Sequence, residues 1–231
     1  MSIVNPETVQ KNLASFFDDI RAFISQSLSS DKKLLRTLDK VEGQVQEVIQ
    51  QWATREKDLY QELELASRIQ QGTLPPFTDN WEGVRYTAYL SPMARVSGDF
   101  FDVIKSKSFY KLIVADVSGH GLPAALVTMA AKEVFHAPDI SRLTPKEFFR
   151  KVNTEIYKRI TTHDYLTAFA LHFFDSQEFL YSNAGHQPAI LLKGASKEFE
   201  FLEATGAFLG AIEDSSQLFS EARHKLYPGD R

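Results

Sequence analysis

Two short acidic segments hold the residues best suited to chemistry: Ser97-Gly98-Asp99-Phe100-Phe101-Asp102 and Asp116-Val117-Ser118-Gly119-His120-Gly121. Phe109–Val117 is apolar and reads as a strand. Asp99–Ile104 reads as its hairpin partner across the polar Lys105-Ser106-Lys107-Ser108. In such a hairpin Asp99, at the start of one strand, approaches Asp116, at the end of the next. Two carboxylates at one end of a sheet repel each other unless a cation lies between them. Hard oxygen donors without thiolates suit Mg2+ or Mn2+. Two such ions activate water and clamp a phosphoryl group, so no covalent protein nucleophile is needed. For Asp99 and Asp102 the plainer alternative is solvation of a strand end. For Asp116 it is an anion-binding turn, because Gly119 and Gly121 permit close backbone approach and a helix N-terminus follows. That turn matches no Walker loop and no full dinucleotide fingerprint. His120 and His186 lie in glycine turns, where local packing or hydrogen bonding competes with a direct catalytic part.

The elements that must position these residues begin after Pro75-Pro76. Val84–Leu90 alternates as a strand does. Leu122–His136 is Ala-rich and apolar all round, which predicts a well-buried helix. Thr144-Pro145-Lys146-Glu147 predicts a capped start for a helix running to about Ile160. Leu166–Phe174 and Phe179–Asn183 predict a second hairpin turning at Asp175-Ser176-Gln177, and Ala189–Lys193, Glu198–Glu203 and Ser220–Leu226 predict shorter strands. Antiparallel strands with inserted helices imply an α+β layered domain rather than a doubly wound sheet.

Residues 1–75 read as helix throughout. Asn5-Pro6-Glu7 is a good helix start, and Ser29-Ser30-Asp31 interrupts the first helix and suits the cap of a second. From Leu34 through Leu38, Val41, Val45, Val48, Trp52, Leu59 and Ala66 to Ile69, apolar residues recur at steps of three and four, with Arg55 and Glu62 in the remaining seam positions. The spacing is that of a coiled-coil seam, within the chain or between two copies; the alternative is an amphipathic helix packed on its own domain. The first helix is expected to fold back as a hairpin or join a bundle.

The 231 residues carry a net charge of −4, with 43% hydrophobic and 24% charged residues. Nothing in that balance asks for nucleic acid or an anionic membrane. No apolar run approaches the roughly 20 residues needed to span a bilayer. The absence of cysteine excludes disulfides and thiolate metal sites and fits a reducing cytoplasm.

Six segments occur in a characteristic order: Ala66-Ser67-Arg68-Ile69-Gln70-Gln71-Gly72-Thr73-Leu74-Pro75, SGDFFD, ADVSGHG, Ser182-Asn183-Ala184-Gly185-His186-Gln187-Pro188, Thr205-Gly206-Ala207-Phe208-Leu209-Gly210, and Leu226-Tyr227-Pro228-Gly229-Asp230-Arg231. In this the chain, over roughly residues 66 to 231, resembles the stage II sporulation protein E branch of the protein phosphatase 2C-like (PPM) superfamily. The resemblance implies a four-layer αββα sandwich with a two-metal site at one edge. It also implies a metal-dependent serine/threonine phosphatase of a partner-switching pathway, acting on a phosphorylated anti-anti-sigma-factor-like protein. Carried over, Asp99 and Asp116 ligate the metals, Asp116 bridging both, and the Val117 carbonyl adds a ligand; Asp102 is a neighbour. The division implied is a helical regulatory or dimerisation segment at 1–75, which a regulator or a second copy would bind, and the phosphatase domain at 76–231.

Two departures bear on these expectations. Ser118 stands where eukaryotic members of the superfamily place a histidine. The sequence also stops at Arg231, before the Asp-Gly strand and the later Asp that complete the family's metal site. The expectation at this stage is a domain incomplete at its C-terminus, with weak or no activity in the 231-residue chain. A non-catalytic phosphoprotein-binding or dimerising module is the alternative, and a coiled-coil protein with an accessory β domain leaves both acidic segments unexplained.

Overall fold

The structure, a computed structural model, describes residues 6–27, 32–81, 83–162, 164–174, 177–203, 206–214 and 217–231. The expected cap at Asn5, the interruption at Ser29-Ser30-Asp31, most of the Asp175-Ser176-Gln177 turn and Thr205 lie outside the described residues. The chain divides into two compact units, Met1–Glu64 and Leu65–Arg231.

The first unit holds helix α1 (Pro6–Ser27) and the larger part of α2 (Lys32–Gly72). Arg21 of α1 reaches Asp39 of α2 at 3.0 Å and also pairs with Glu42, while Phe17 and Ile24 are buried. The α1 helix therefore covers only one side of the apolar pattern of α2. Leu34, Val41, Val48, Trp52 and Leu59 stay exposed along α2, as do Phe16 and Phe23 on α1.

The second unit is built on a five-stranded antiparallel sheet, order β3-β4-β5-β6-β9, made of β3 (Phe100–Lys105), β4 (Tyr110–Val117), β5 (Leu166–Phe173), β6 (Glu178–Ala184) and β9 (Ala222–Lys225). Strand alternation sends successive side chains to opposite faces. Phe100, Ile104, Ile113, Ala115, Val117, Leu166, Ala168 and Ala170 face α3 (Leu122–His136) and α4 (Pro145–Arg159), forming the larger core with Phe135, Phe148, Phe149 and Ile156. Tyr110, Phe169, Phe173, Phe179 and Tyr181 face the other way, with Leu191 and Leu202. There two hairpins lie on the sheet: β1 (Thr78–Trp81) with β2 (Val84–Thr87), and β7 (Ala189–Leu192) with β8 (Phe199–Leu202). Trp81 stacks on Tyr110 at 5.5 Å between ring centres. The result is the expected α+β class: a helical layer, the five-stranded sheet, and paired strands on its far face.

Local details depart from the sequence reading in informative ways. Strand β1 has no apolar alternation in Thr78-Asp79-Asn80-Trp81 and forms because β2 pairs with it in register, Thr78 opposite Thr87. Thr144 precedes α4, but its side chain makes no capping bond to the helix backbone; it meets Glu147 instead, at 3.4 Å.

One buried cation has a consequence for stability. Lys111, fully buried on the helical face, donates hydrogen bonds to the carbonyls of Ser141 and Leu143, both at 2.8 Å, and lies 4.2 Å from the centre of the Phe148 ring. Burial pushes its pKa down to about 7. Its cross-strand neighbour His172 is pushed down to about 4, first by burial and then by the charge of Lys111. Above pH 7 the folded chain holds fewer protons than the unfolded one, until the free lysine value is passed. Stability is thus expected to rise with pH through that window. A urea midpoint that increases from pH 7 to pH 9 in the wild type, and stays flatter in Lys111→Met, is the expected result. Parallel pH profiles for the two proteins would refute it.

Candidate metal-binding site

The β3–β4 register pairs Phe100 with Ala115, so Asp99 and Asp116 stand opposite each other one step beyond the ladder. The Val117 N–H closes that end on the Gly98 carbonyl at 3.3 Å. Both aspartates are exposed and sit on the sheet face away from α3 and α4, opposite the buried Ala115 and Val117. The pKa of Asp116 is raised, first by partial desolvation of its otherwise exposed carboxyl and then by the charge of Asp99 and a carboxyl–carboxyl hydrogen bond with it. An open cavity of about 160 Å³ lies against the pair, lined also by Gly98, Gly119, His120 and Gly121. This is the arrangement inferred from the sequence: two hard-oxygen donors on one sheet end, with the charge of Asp116 made costly by Asp99. A divalent cation fits that donor set, because its charge would relieve the repulsion that raises Asp116.

The loop carrying Asp99 is anchored from two helices. The Gln70 side chain, near the end of α2, donates to the Ser97 carbonyl at 2.7 Å and accepts from the Ser97 N–H at 2.9 Å. Thr128 of α3 donates towards the Gly98 carbonyl at 3.2 Å. Gly98 itself is required by packing: a Cβ there would stand 3.0 Å from the Val117 carbonyl oxygen and 3.3 Å from the Ala124 methyl. Residues Leu65–Gly72 consequently belong with the second unit. Gln70→Ala would take from the buried Ser97 N–H the side chain that accepts it and leave the Ser97 carbonyl only the long 3.4 Å contact from Thr128. It is expected to cost about 1–3 kcal/mol in a urea melt, and an unchanged midpoint would refute that assignment.

Asp102 is not at this site. Three residues beyond Asp99, it points to the opposite face and is only 3% exposed. There it meets Lys132 Nζ at 3.0 Å and His136 Nε2 at 2.9 Å, both on α3. Burial alone would raise its pKa, yet the His136 hydrogen bond and the charge of Lys132 outweigh it and the net shift is downward. Ser118 is a brace: its hydroxyl accepts the Tyr165 N–H at 3.0 Å and reaches Asp164 at 3.4 Å, tying the end of β4 to the start of β5. His120 lies exposed on the cavity wall.

Two residues that the sequence reading left without a site role sit beside the pair. Asp116 is opposite Thr167 of β5, and the Thr167 hydroxyl is 2.7 Å from His186 Nδ1. His186 lines a cleft of about 470 Å³ that also contains Asp99. Burial lowers the His186 pKa, and the nearby Asp99 charge acts in the opposite sense. The Asn-Ala-Gly-His segment was a signal for His186; Thr167 had none.

A five-stranded antiparallel sheet with helices on one face, paired strands on the other, and opposed aspartates at one end defines a PP2C-type domain. The SiaA-PP2C domain of Pseudomonas aeruginosa has this fold, with a TM-score of 0.61, 21% identity, and coverage of 77% of this chain and 71% of that one. The chain belongs to the stage II sporulation protein E (SpoIIE) family, whose model matches residues 106–231, more than half of the sequence. It is similar to phosphoserine phosphatase RsbU of Bacillus subtilis (strain 168), 27% identical over 160 residues, covering 69% of this chain and 48% of RsbU. Phosphoserine phosphatase RsbP of the same organism is 29% identical over 159 residues, covering 66% and 39%. The RsbU and RsbW domains of Rv1364c from Mycobacterium tuberculosis are 25% identical with a TM-score of 0.52, covering 61% of this chain and 38% of that one. The chain spans about half or less of the length of the curated relatives it matches.

Proposed function

We propose that the second unit is the metal-binding part of a phosphoprotein phosphatase that hydrolyses phosphoserine or phosphothreonine. The observation that carries this reading is the opposition of Asp99 and Asp116 across β3 and β4, on an open cavity whose glycine turn leaves room for a phosphoryl group. Asp99 and Asp116 would hold Mn2+ or Mg2+, with the Val117 carbonyl, which borders Gly98, as a further donor. Bound there, two such ions supply activated water and charge neutralisation for an in-line displacement. The chain's own residues do the rest: Gln70 and Thr128 fix the loop that presents Asp99, and Ser118 fixes the end of β4 that presents Asp116. The likeness to two Bacillus proteins named phosphoserine phosphatases supports a phosphoserine-bearing substrate, and the motif resemblance extends the proposal to a phosphorylated anti-anti-sigma-factor-like protein in the cytoplasm. Among the described residues no helix is long and apolar enough to cross a membrane. The exposed apolar stripes on α1 and α2 support the first unit as the surface for a second copy or a regulator.

Mn2+-dependent release of phosphate from a phosphoserine protein tests the reading. Release by the wild type that Asp116→Asn abolishes is the expected result. Equal release by both, or by neither under conditions where both are folded, would overturn it. One observation favours a second reading, a module that binds a phosphoprotein without turnover: among the described residues no three metal-capable side chains converge. Two carboxylates hold a divalent ion weakly, so activity of this chain is expected to be low and to need millimolar Mn2+. Under the second reading Mn2+ and phosphoprotein bind but no phosphate is released.

A further inference from the structure

The turn that carries His186 is specified far beyond what chain reversal needs. Gly185 has φ of 67° and would place a Cβ 2.2 Å from the Phe208 ring, so the position admits only glycine. Phe208 is itself stacked on Tyr165 at 5.0 Å, next to the Ser118 brace. The Asn183 side chain brackets the backbone of His186, accepting its N–H at 2.7 Å and donating to its carbonyl at 2.8 Å. A bridge between Ala168 and Gly185 docks the turn against β5. The backbone is thus fully held without the imidazole.

The ring nevertheless has a fixed place. Thr167 Oγ1 is 2.7 Å from Nδ1, and Thr167 is the residue directly opposite Asp116. Among the described residues the Thr167 hydroxyl has no other acceptor; with that hydroxyl as the donor, Nδ1 is the acceptor and the ring proton sits on Nε2, the tautomer used below. Among the same residues Nε2 has no partner, although the ring lines the cleft that contains Asp99. Across the sheet, Asp99, Asp116 and Thr167 form one row on one face, and His186 ends it.

We propose that His186 Nε2–H is a hydrogen-bond donor to the phosphoryl group held at the Asp99–Asp116 pair, and that Thr167 is the positioning residue that aims it. The proposal rests on the two-carboxylate reading of the site and adds a phosphate contact made by the protein itself. A backbone that needs no help from the ring, a hydroxyl that sets the tautomer, and a free N–H on the carboxylate face all serve that contact. A purely structural histidine needs none of the three.

The test uses the full chain, with Mn2+ and inorganic phosphate as separate probes. Mn2+ affinity is measured by titration, and phosphate affinity by 31P relaxation in the presence of Mn2+. His186→Ala is expected to keep Mn2+ affinity within about twofold and to lose about tenfold in phosphate affinity, the range of one charge-assisted hydrogen bond. His186→Gln, which restores an N–H near the same place, is expected to recover most of that loss. Thr167→Val is expected to weaken phosphate binding in the wild-type background and to have no further effect on His186→Ala, as for two residues acting as one unit. Equal losses of Mn2+ and phosphate in His186→Ala, full phosphate affinity in that variant, or no rescue by glutamine overturns the proposal. A wild type that binds no phosphate also overturns it, while Mn2+ binding that is lost in Asp116→Asn keeps the two-carboxylate reading standing. Mn2+ binding unaffected by Asp116→Asn sinks that reading instead.

Discussion

The Asp116→Asn chain is expected to outlast the wild type in a metal-free urea melt while losing Mn2+ affinity by about 100-fold or more. That loss exceeds the 10–100-fold typical when only a ligand's hydrogen-bond partner is removed. The two effects have one cause. Asp116 faces Asp99 at the end of the β3–β4 ladder, and burial together with that neighbour raises its pKa in the folded chain. Between the free aspartate value and the raised one, the folded chain holds more protons than the unfolded chain. Metal-free stability therefore falls as pH rises through the folded value. Asparagine removes the charge that causes this, so the gain in midpoint should be larger at pH 7 than at pH 4. Saturating Mn2+ should reverse the ranking, because ligand binding stabilises only the chain that can bind it. A variant less stable than the wild type without metal, or one that keeps its Mn2+ affinity, would show that the pair is not a strained cation site.

Removing the other aspartate of the first acidic segment should do the opposite. Asp102→Ala is expected to cost about 3 kcal/mol or more, because it leaves Lys132 as a buried charge without a partner. Lys132 Nζ is 3.0 Å from Asp102 Oδ2 and 5.6 Å from the centre of the Phe100 ring, and among the described residues Asp102 is the one carboxylate paired with it. Since the folded pKa of Asp102 is lowered, its contribution is present at neutral pH and is lost as pH falls through the folded value. A double change, Asp102→Ala with Lys132→Met, should recover much of the loss by removing the orphaned charge. A single variant as stable as the wild type at pH 7 would refute the assignment.

The hairpin around Lys105–Ser108 and the helix Leu122–His136 were legible because apolar runs and their punctuation agree with the tertiary fold. The approach of Asp99 to Asp116 followed from that hairpin alone. What stayed hidden depended on partners distant in sequence. Strand β1 has no pattern of its own. Gln70 reads as one more polar residue on a helix, yet it finishes the backbone hydrogen bonding of Ser97, 27 positions away. Thr167 reads as part of an apolar strand, and only the β4–β5 register sets it against Asp116. Asp102 was treated as a companion of Asp99 because the two share a motif, whereas the pleat sends them to opposite faces.

That pleat makes the spacing of Ser97-Gly98-Asp99-Phe100-Phe101-Asp102 a matter of odd and even numbers. A separation of three gives one carboxylate to solvent and the other to α3, and likewise sends Phe100 into the helix-facing core and Phe101 against Phe77 and Tyr86 on the other face. Inserting or deleting one residue between the aspartates would not move them slightly; it would swap sides, pressing the carboxylate proposed to hold a cation against Lys132 or stranding the α3 anchor in water. The segment can therefore lengthen only in pairs of residues, and a hexapeptide that looks like one acidic motif is two instructions interleaved on a single strand.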